Sequence, residues 1–247
     1  NLIRLINDKK TTLNIGDKVL AEIVSRGARH SDHKAKVLIS FGSSEKASSC
    51  AMSVLTLNNI NPVFPQDVLD EAKKIALTDI PEYDFKNRVD LRNEIIFTID
   101  SAESKDLDDA ISIKKTSDGY LLSVHIADVS HYVKGNSNLD NEALKRGTSV
   151  YYANKVVPML PKELSNGICS LNPQENRLTF SVDIRVSSNG EILSYKFYKS
   201  VICSEVKGIY SEINTILKNE ADAELLKKYE KTIPSIFIMN ELADILI

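Results

Sequence analysis

The chain has 247 residues, 43% hydrophobic and 26% charged, with a net charge of −3. This is globular composition, long enough for one or two domains with a substantial core, and no run reaches the roughly 18 apolar residues of a membrane span. Eight lysines and arginines against four acids put residues 1–41 at +4 and leave the remainder near −7, a mild sign of a polyanionic partner.

The opening "NLIRLINDKK" lacks an initiator Met and carries no signal-peptide pattern. From residue 16 to 41, "GDKVLAEIVS" and "AKVLISFG" alternate apolar and polar residues around the turn "RGARHSDHK", which predicts two antiparallel strands. Residues 42–66 show no clear period. "QDVLDEAKKIAL" places Val68, Leu69, Ala72, Ile75 and Ala76 on one helical face, and "IPEYDFKNRVDLR" reads as a charged linker. "EIIFTI" predicts a strand, and "DAISIKK" and "GYLLSVHIADV" predict two more. "LDNEALKRGTSVYYA", residues 139–153, fits a helix. "RLTFSVDIRVSSNGEILSYKFYKSVI" predicts a hairpin turning at Asn189-Gly190. Helices divided near Pro234 follow. The last, "SIFIMNELADILI", breaks off with no cap, so both ends read as cut, and Leu242, Ile245 and Leu246 are expected on an uncovered apolar face.

Cys50, Cys169 and Cys203 have no CxxC or Cys/His ligand spacing and read as reduced thiols of a cytoplasmic protein. The chemistry concentrates elsewhere. "TIDSAESKDLDDA", residues 98–110, holds Asp100, Asp106, Asp108 and Asp109. Adjacent carboxylates repel, and burying them unpaired costs several kcal/mol each. Water, basic side chains or a divalent cation must offset that. A solvated loop is one reading. The other is a carboxylate site for Mg²⁺, since the run lies between two apolar strands and Asp106 and Asp108 project to one side of an extended chain. An EF-hand is excluded: counting from Asp106, Ala110 and Ile111 fall where Asp/Asn and Gly are required. His125 and His131 read as structural, because hard Mg²⁺ prefers oxygen. Asp128 reads as a loop or cap residue. Lys105, Arg88 and Arg92 either neutralise the aspartates or touch phosphates, or are plain surface charge.

"DLRNEIIFTIDSAESKDLDDAISI", followed in order by "HIADVSHYV", "RGTSVY", "PMLP" and "LSNGICSLNP", closely resembles the RNB catalytic domain of the RNase II/RNase R exoribonucleases, the bacterial RNase R branch above all. The resemblance runs from about residue 86 to 218, and residues 1–42 look like the end of a cold-shock domain. It implies processive, Mg²⁺-dependent hydrolysis of single-stranded RNA from its 3′ end to nucleoside 5′-monophosphates. Asp100, Asp106, Asp108 and Asp109 then fall at the family's metal and catalytic positions. Tyr151 falls at its aromatic clamp, and Tyr210 at a second RNA-contacting tyrosine, where "KGIYSEIN" departs from the usual flanks. On spacing alone Tyr151 is equally a core helix residue, and Tyr152 beside it is structural. The family's phosphate-clamping arginine segment and later glutamate have no counterpart in these residues, so the fragment alone is expected to be poorly active.

The expected architecture is α+β. The end of an OB-like cold-shock module spans 1–60, a linker with a helix 61–86, and the N-terminal part of an RNB catalytic domain 87–247. In full length the protein is expected to be a monomer with no cofactor beyond metal. A non-catalytic RNA-binding module is the alternative. A Mg²⁺-dependent phosphatase would need a nucleophilic DxD with downstream Lys and acidic motifs, which are not found.

Overall fold

The computed structural model describes residues 3–6, 12–29, 32–78, 80–152 and 155–247. They divide into two compact units, one within 1–64 and 148–157, the other within 65–147 and 158–247.

In the first unit the alternating stretches form the expected pair. Strands β2 (Asp17–Ser25) and β3 (Lys34–Ser43) run antiparallel, and β1 (Arg4–Ile6) joins β3 in parallel. The turn tip at 30–31 and the basic residues Lys9 and Lys10 lie outside the described residues. Helix α1 (Ala47–Leu57) packs on β2 and β3. Its buried positions are Ser49, Ser53 and Leu55, so the inward face carries two serines and gives no apolar period. The Ser53 hydroxyl is satisfied locally, donating to the Cys50 carbonyl at 2.7 Å.

The second unit is built on a five-stranded sheet in the order β4 (Val89–Asp90), β11 (Ile192–Cys203), β10 (Asn176–Ser187), β7 (Gly119–Ala127), β6 (Asp109–Thr116), antiparallel except for β4 with β11. The β10–β11 hairpin turns at Gly190, whose φ of +86° suits glycine. Helix α8 (Ile233–Leu246) covers part of one face, packing Leu242 with Ile113, Tyr120 and Val186 while Ile238, Met239 and Ile245 join them. This corrects the expected uncovered face: Leu242 is buried and Ile245 packed, and of the three only Leu246 is exposed.

The opposite face is polar at its centre. Thr179, Ser181 and Ser200 are fully buried and joined by hydroxyl contacts of 2.6 and 2.5 Å on Ser200. His125 joins the row through Nδ1 to Ser181 Oγ (2.7 Å) and Nε2 to Ser112 Oγ (3.3 Å). Beside it an apolar cluster of Ile96, Leu107, Ala110, Ala127, Leu171 and Ile202 closes the core. A second parallel pair, β5 (Thr98–Asp100) with β12 (Lys207–Ile209), leads into α6 (Tyr210–Leu217), α7 (Ala223–Lys228) and α8. These helices bury Phe97, Ile213, Ile216, Tyr229 and Ile236 together.

The helix α2 (Gln66–Ala76) matches its expected span and buries Val68 and Ala72. The charged stretch after it is not a plain linker. It holds α3 (Glu82–Lys86) and β4, and both stretches group with the second unit. The helix expected over 139–153 is shorter. After the turn α4 (Val129–Tyr132), α5 (Asn138–Arg146) stops where Gly147, at φ +73°, returns its N–H to the Ala143 carbonyl at 2.8 Å. Beyond it Val150–Tyr152 is a strand, β8, paired with β9 (Lys155–Val157) in the first unit. Residue 153 lies outside the described residues.

Burial holds the His125 imidazole down to about 4 from its ordinary 6.5. The unfolded chain therefore binds a proton near pH 6.5 that the folded chain refuses until about pH 4. Stability should be unaffected by His125 above that window and fall as the pH drops through it, by at most about 3 kcal/mol. Urea unfolding from pH 7.5 to 4.5, followed by circular dichroism, should show a shallower pH slope for His125→Gln than for wild type.

Candidate active site

The acidic loop is anchored by the one large apolar residue inside it. Leu107 is 2% exposed and packs in the Ile96–Leu171–Ile202 cluster. Its N–H donates to Ser170 Oγ at 3.0 Å, and its carbonyl accepts from the Leu171 N–H at 2.8 Å. The Ser170 hydroxyl in turn donates to the Lys105 carbonyl at 3.0 Å. On the far side, the Asp108 carbonyl accepts from the Ala127 N–H at 3.0 Å. With backbone fixed on both sides of Leu107, Asp106 and Asp108 are held in place while their carboxylates stay outside the core.

Strand pairing places the other two aspartates. Asp100 ends β5, in register with Ile209 of β12, and Asp109 begins β6, in register with Ile126 of β7. The β5 and β6 segments meet through the Phe97–Ile111 bridge. All four carboxylates therefore come to one edge of the sheet. Their electrostatics show the crowding. Asp108 is raised above the usual carboxylate range, first by desolvation, then by Asp106, Asp109 and Asp100. Asp100 is raised by desolvation and by Asp109, with Lys207 acting the other way. Among the described residues, no group of three or more His, Cys, Asp or Glu side chains is arranged to hold a metal ion as it stands. The donor chemistry nonetheless fits a hard cation: the set is oxygen only, anionic, and held by backbone at strand ends.

The nearby histidines and arginines have other roles. His125 is fully buried in the serine row. His131 Nε2 lies 3.3 Å from Asp84, and its Nδ1 faces Arg88 at 3.5 Å. Arg88 needs correcting: it is neither a surface charge nor a partner of the aspartate loop. Asp128 stands at the N-cap position of α4, as expected, although its side chain makes no cap bond there. The two form a buried ion pair at 2.6 Å with side chains 4% and 3% exposed. Arg88 Nη1 also donates to the Thr179 carbonyl at 3.1 Å, so the pair ties the segment before β4 to the sheet. Arg92 is turned back onto Asp90 by two bonds of 2.9 and 2.6 Å, and holds that carboxyl down to about 2. The Lys105 side chain is exposed.

Residues 88–247 match the RNB domain family. The chain belongs to the RNB family. Ribonuclease R 1 of Lactococcus lactis subsp. lactis is 48% identical over 196 residues, covering 79% of this chain and 24% of that protein. Ribonuclease R of Thermotoga maritima is 44% identical over 232 residues, covering 93% of this chain and 32% of that protein. Among solved structures, Mycoplasma genitalium RNase R in complex with ribose-methylated single-stranded RNA matches with a TM-score of 0.87 at 29% identity, over 98% of this chain and 38% of that one. The chain thus spans about a quarter to a third of the length of these curated relatives.

Of the two tyrosines singled out by the resemblance, one lies with the aspartates of the RNB domain. Tyr210 opens α6 directly after Ile209, the register partner of Asp100, and is 59% exposed. Tyr151 belongs to the other unit, on β8, and is 70% exposed. The core-helix reading of Tyr151 is therefore wrong on both counts. Tyr152, on the same strand, is half-buried.

Three residues that shape the site were not picked out in the sequence. Ser170 holds Leu107. Arg177 holds Ser170, its Nε donating to the Ser170 carbonyl at 2.7 Å and its Nη2 to the Gly167 carbonyl at 3.3 Å, with Glu175 closing on the guanidinium. Lys207 reaches into the acidic loop from β12. Long-range pairing hides two of them, since Ser170 is 63 residues from Leu107 and Lys207 is 105 from Ala102, whereas Arg177 reaches Ser170 over only 7.

Ser170→Ala should strand the buried Leu107 N–H and cost about 1–3 kcal/mol. Urea denaturation should show that loss, and amide exchange should show faster opening around Leu107 than at His125. Uniform change at both places would mean that Ser170 does not serve the loop specifically.

Proposed function

We propose that this RNB domain is the metal-binding part of a Mg²⁺-dependent 3′→5′ exoribonuclease that degrades single-stranded RNA processively to nucleoside 5′-monophosphates in the cytoplasm. The observation that carries the reading is the gathering of Asp100, Asp106, Asp108 and Asp109 at one sheet edge, where Asp100 and Asp108 are raised first by desolvation and then by the carboxylates beside them. Relatives named Ribonuclease R and a structural neighbour solved with RNA support it.

In this reading the four aspartates would hold the ion or ions. When bound, Mg²⁺ supplies charge neutralisation at the scissile phosphate and an acidified water. The protein's part is to fix carboxylate oxygens on rigid backbone, so that little reorganisation is left for the reaction itself. A carboxylate not occupied by metal can orient the attacking water. Tyr210, exposed beside the end of β5, offers a ring on which a nucleotide near that edge can stack. Tyr151 offers a second stacking surface, and base–aromatic stacking contributes about 1–3 kcal/mol per base. The basic residues of the first unit, Arg4, Lys18, Arg26, Arg29, Lys34 and Lys36 among them, suit the phosphate backbone. A purely RNA-binding module fits less well, because four clustered anions repel that backbone unless a cation lies between them.

Asp108→Asn in the full-length protein should lower turnover at saturating Mg²⁺ by orders of magnitude while RNA affinity holds. Near wild-type turnover would show that this edge is not the catalytic centre. The 247-residue chain alone should hydrolyse 3′-labelled RNA poorly, since phosphoryl transfer also needs cationic groups on the phosphate as charge builds. Robust cleavage that the Asp108→Asn chain lacks would refute that requirement.

Tyr151→Ala in the full-length protein should change the length of the last undegraded oligonucleotide more than the rate on long RNA. A long strand spreads its binding over many contacts, whereas a strand of a few nucleotides depends on each one. An unaltered end-product ladder on a sequencing gel would remove Tyr151 from the RNA path.

A further inference from the structure

Lys207 sits one strand away from the aspartates, and no step described so far uses it. Its strand β12 lies parallel to β5, pairing Lys207 with Thr98 and Ile209 with Asp100. The approach is close. A Cβ on the buried Gly208 between them would meet the Thr98 carbonyl at 2.4 Å, so only glycine lets the strands come together. The Ile209 N–H donates to the Tyr229 hydroxyl at 3.0 Å, which secures the end of β12 beside Asp100.

From this fixed strand the half-buried Lys207 side chain reaches across to the turn after Asp100. Its Nζ lies 2.9 Å from the Ala102 carbonyl and 2.6 Å from the Ser104 carbonyl. The turn is closed on itself by the Ser104 N–H to the Ser101 carbonyl at 3.2 Å, and by the two serine hydroxyls at 2.9 Å. That turn is the only covalent path between Asp100 and Asp106. Whatever fixes it fixes the spacing between the carboxylate on β5 and the three on the loop and β6.

We propose that Lys207 is a positioning residue for the carboxylate site, clamping the 101–104 turn so that Asp100 is held at a set distance from Asp106, Asp108 and Asp109. The inference rests on the metal-site reading given above. Two effects of the ammonium oppose each other, and their signs differ. As a clamp it preorganises the carboxylates and tightens cation binding. As a bare positive charge it competes with the cation and weakens binding. Two charge-assisted hydrogen bonds to carbonyls, on a side chain held half-buried by its strand, favour the clamp. Residues that orient metal ligands typically change metal affinity or activity about 10–100-fold when lost.

The test compares Lys207→Met, Lys207→Arg and Asp108→Asn in the full-length protein. Mg²⁺ binding without RNA is read by calorimetry, exchange of the 101–106 amides by mass spectrometry, and kcat and KM for RNA over a Mg²⁺ series. For Lys207→Met we expect Mg²⁺ affinity to fall and half-saturating Mg²⁺ to rise about tenfold or more, faster exchange confined to 101–106, and an RNA KM within about twofold of wild type. Lys207→Arg, which keeps the charge and can bridge two carbonyls, should restore most of the affinity. Unchanged or tighter Mg²⁺ binding in Lys207→Met would overturn the proposal in favour of a bare charge. If Lys207→Met does not fold, Ser101→Ala decides. It loosens the same turn without touching the β5–β12 pair, and a rise in half-saturating Mg²⁺ of about twofold or more supports the clamp, while no change refutes it. An Asp108→Asn protein with full activity and full Mg²⁺ affinity would instead remove the metal-site reading itself.

Discussion

The arrangement depends on Leu107. Four aspartates and a glutamate within ten residues should keep their segment in water, yet one leucine among them is drawn into the core beside Ile96, Leu171 and Ile202. Full burial of a leucine side chain stabilises by roughly 1.5–3 kcal/mol. The backbone bonds to Ser170 and Leu171 add to it, because they leave no unsatisfied N–H or C=O at the point of entry. The carboxylates on either side are carried to the surface of the core and stopped there. That is a compromise between two free energies. Deeper burial would neutralise the acids, and full exposure would leave them too mobile to act together.

The anchor works because its own support is buried and polar. Ser170 is held through its carbonyl by Arg177, whose guanidinium also gathers the Gly167 carbonyl and Glu175. The Arg88–Asp128 pair performs a similar task for the segment before β4. Buried ion pairs are weak evidence of stability, since desolvation offsets much of their attraction. Their value here is geometric. Arg88 reaches the backbone of two strands, at the Thr179 and Ser200 carbonyls, and so specifies where the segment must lie.

The division between what the sequence revealed and what it hid follows the range of the interactions. Strands β2, β3, β6, β7, β10 and β11 were legible because alternation is a local property, and Asn189-Gly190 marked its turn for the same reason. The aspartate run was legible because its crowding is written in consecutive letters. Helix α1 was hidden by the serines on its inward face. The end of α5 was misplaced because Gly147 was read through rather than as a stop, although its positive φ ends the helix and frees Val150–Tyr152 to pair as a strand. Arg88, Arg177, Ser170 and Lys207 look like ordinary polar residues in the sequence. Their partners lie 40, 7, 63 and 105 residues away, and only Arg177 works within a local window. Leu242 was misjudged for the same cause, since the sheet face that covers it comes from β6, β7 and β10.

The fold thus spends its apolar contacts on fixing backbone and leaves charge at the sheet edge only partly compensated. Asp100 has Lys207 acting in its favour, but Asp108 is raised by every charged neighbour that bears on it. A cation bound at that edge would favour the folded state, because only there are the four aspartates, neighbours in sequence, held by backbone at fixed positions. Any ligand that binds only the folded form adds stability that grows with the logarithm of its concentration. The strain that makes these carboxylates poor neighbours is therefore the same property that would make them a good cation site. The two cannot be engineered apart while Leu107 holds the loop against the core.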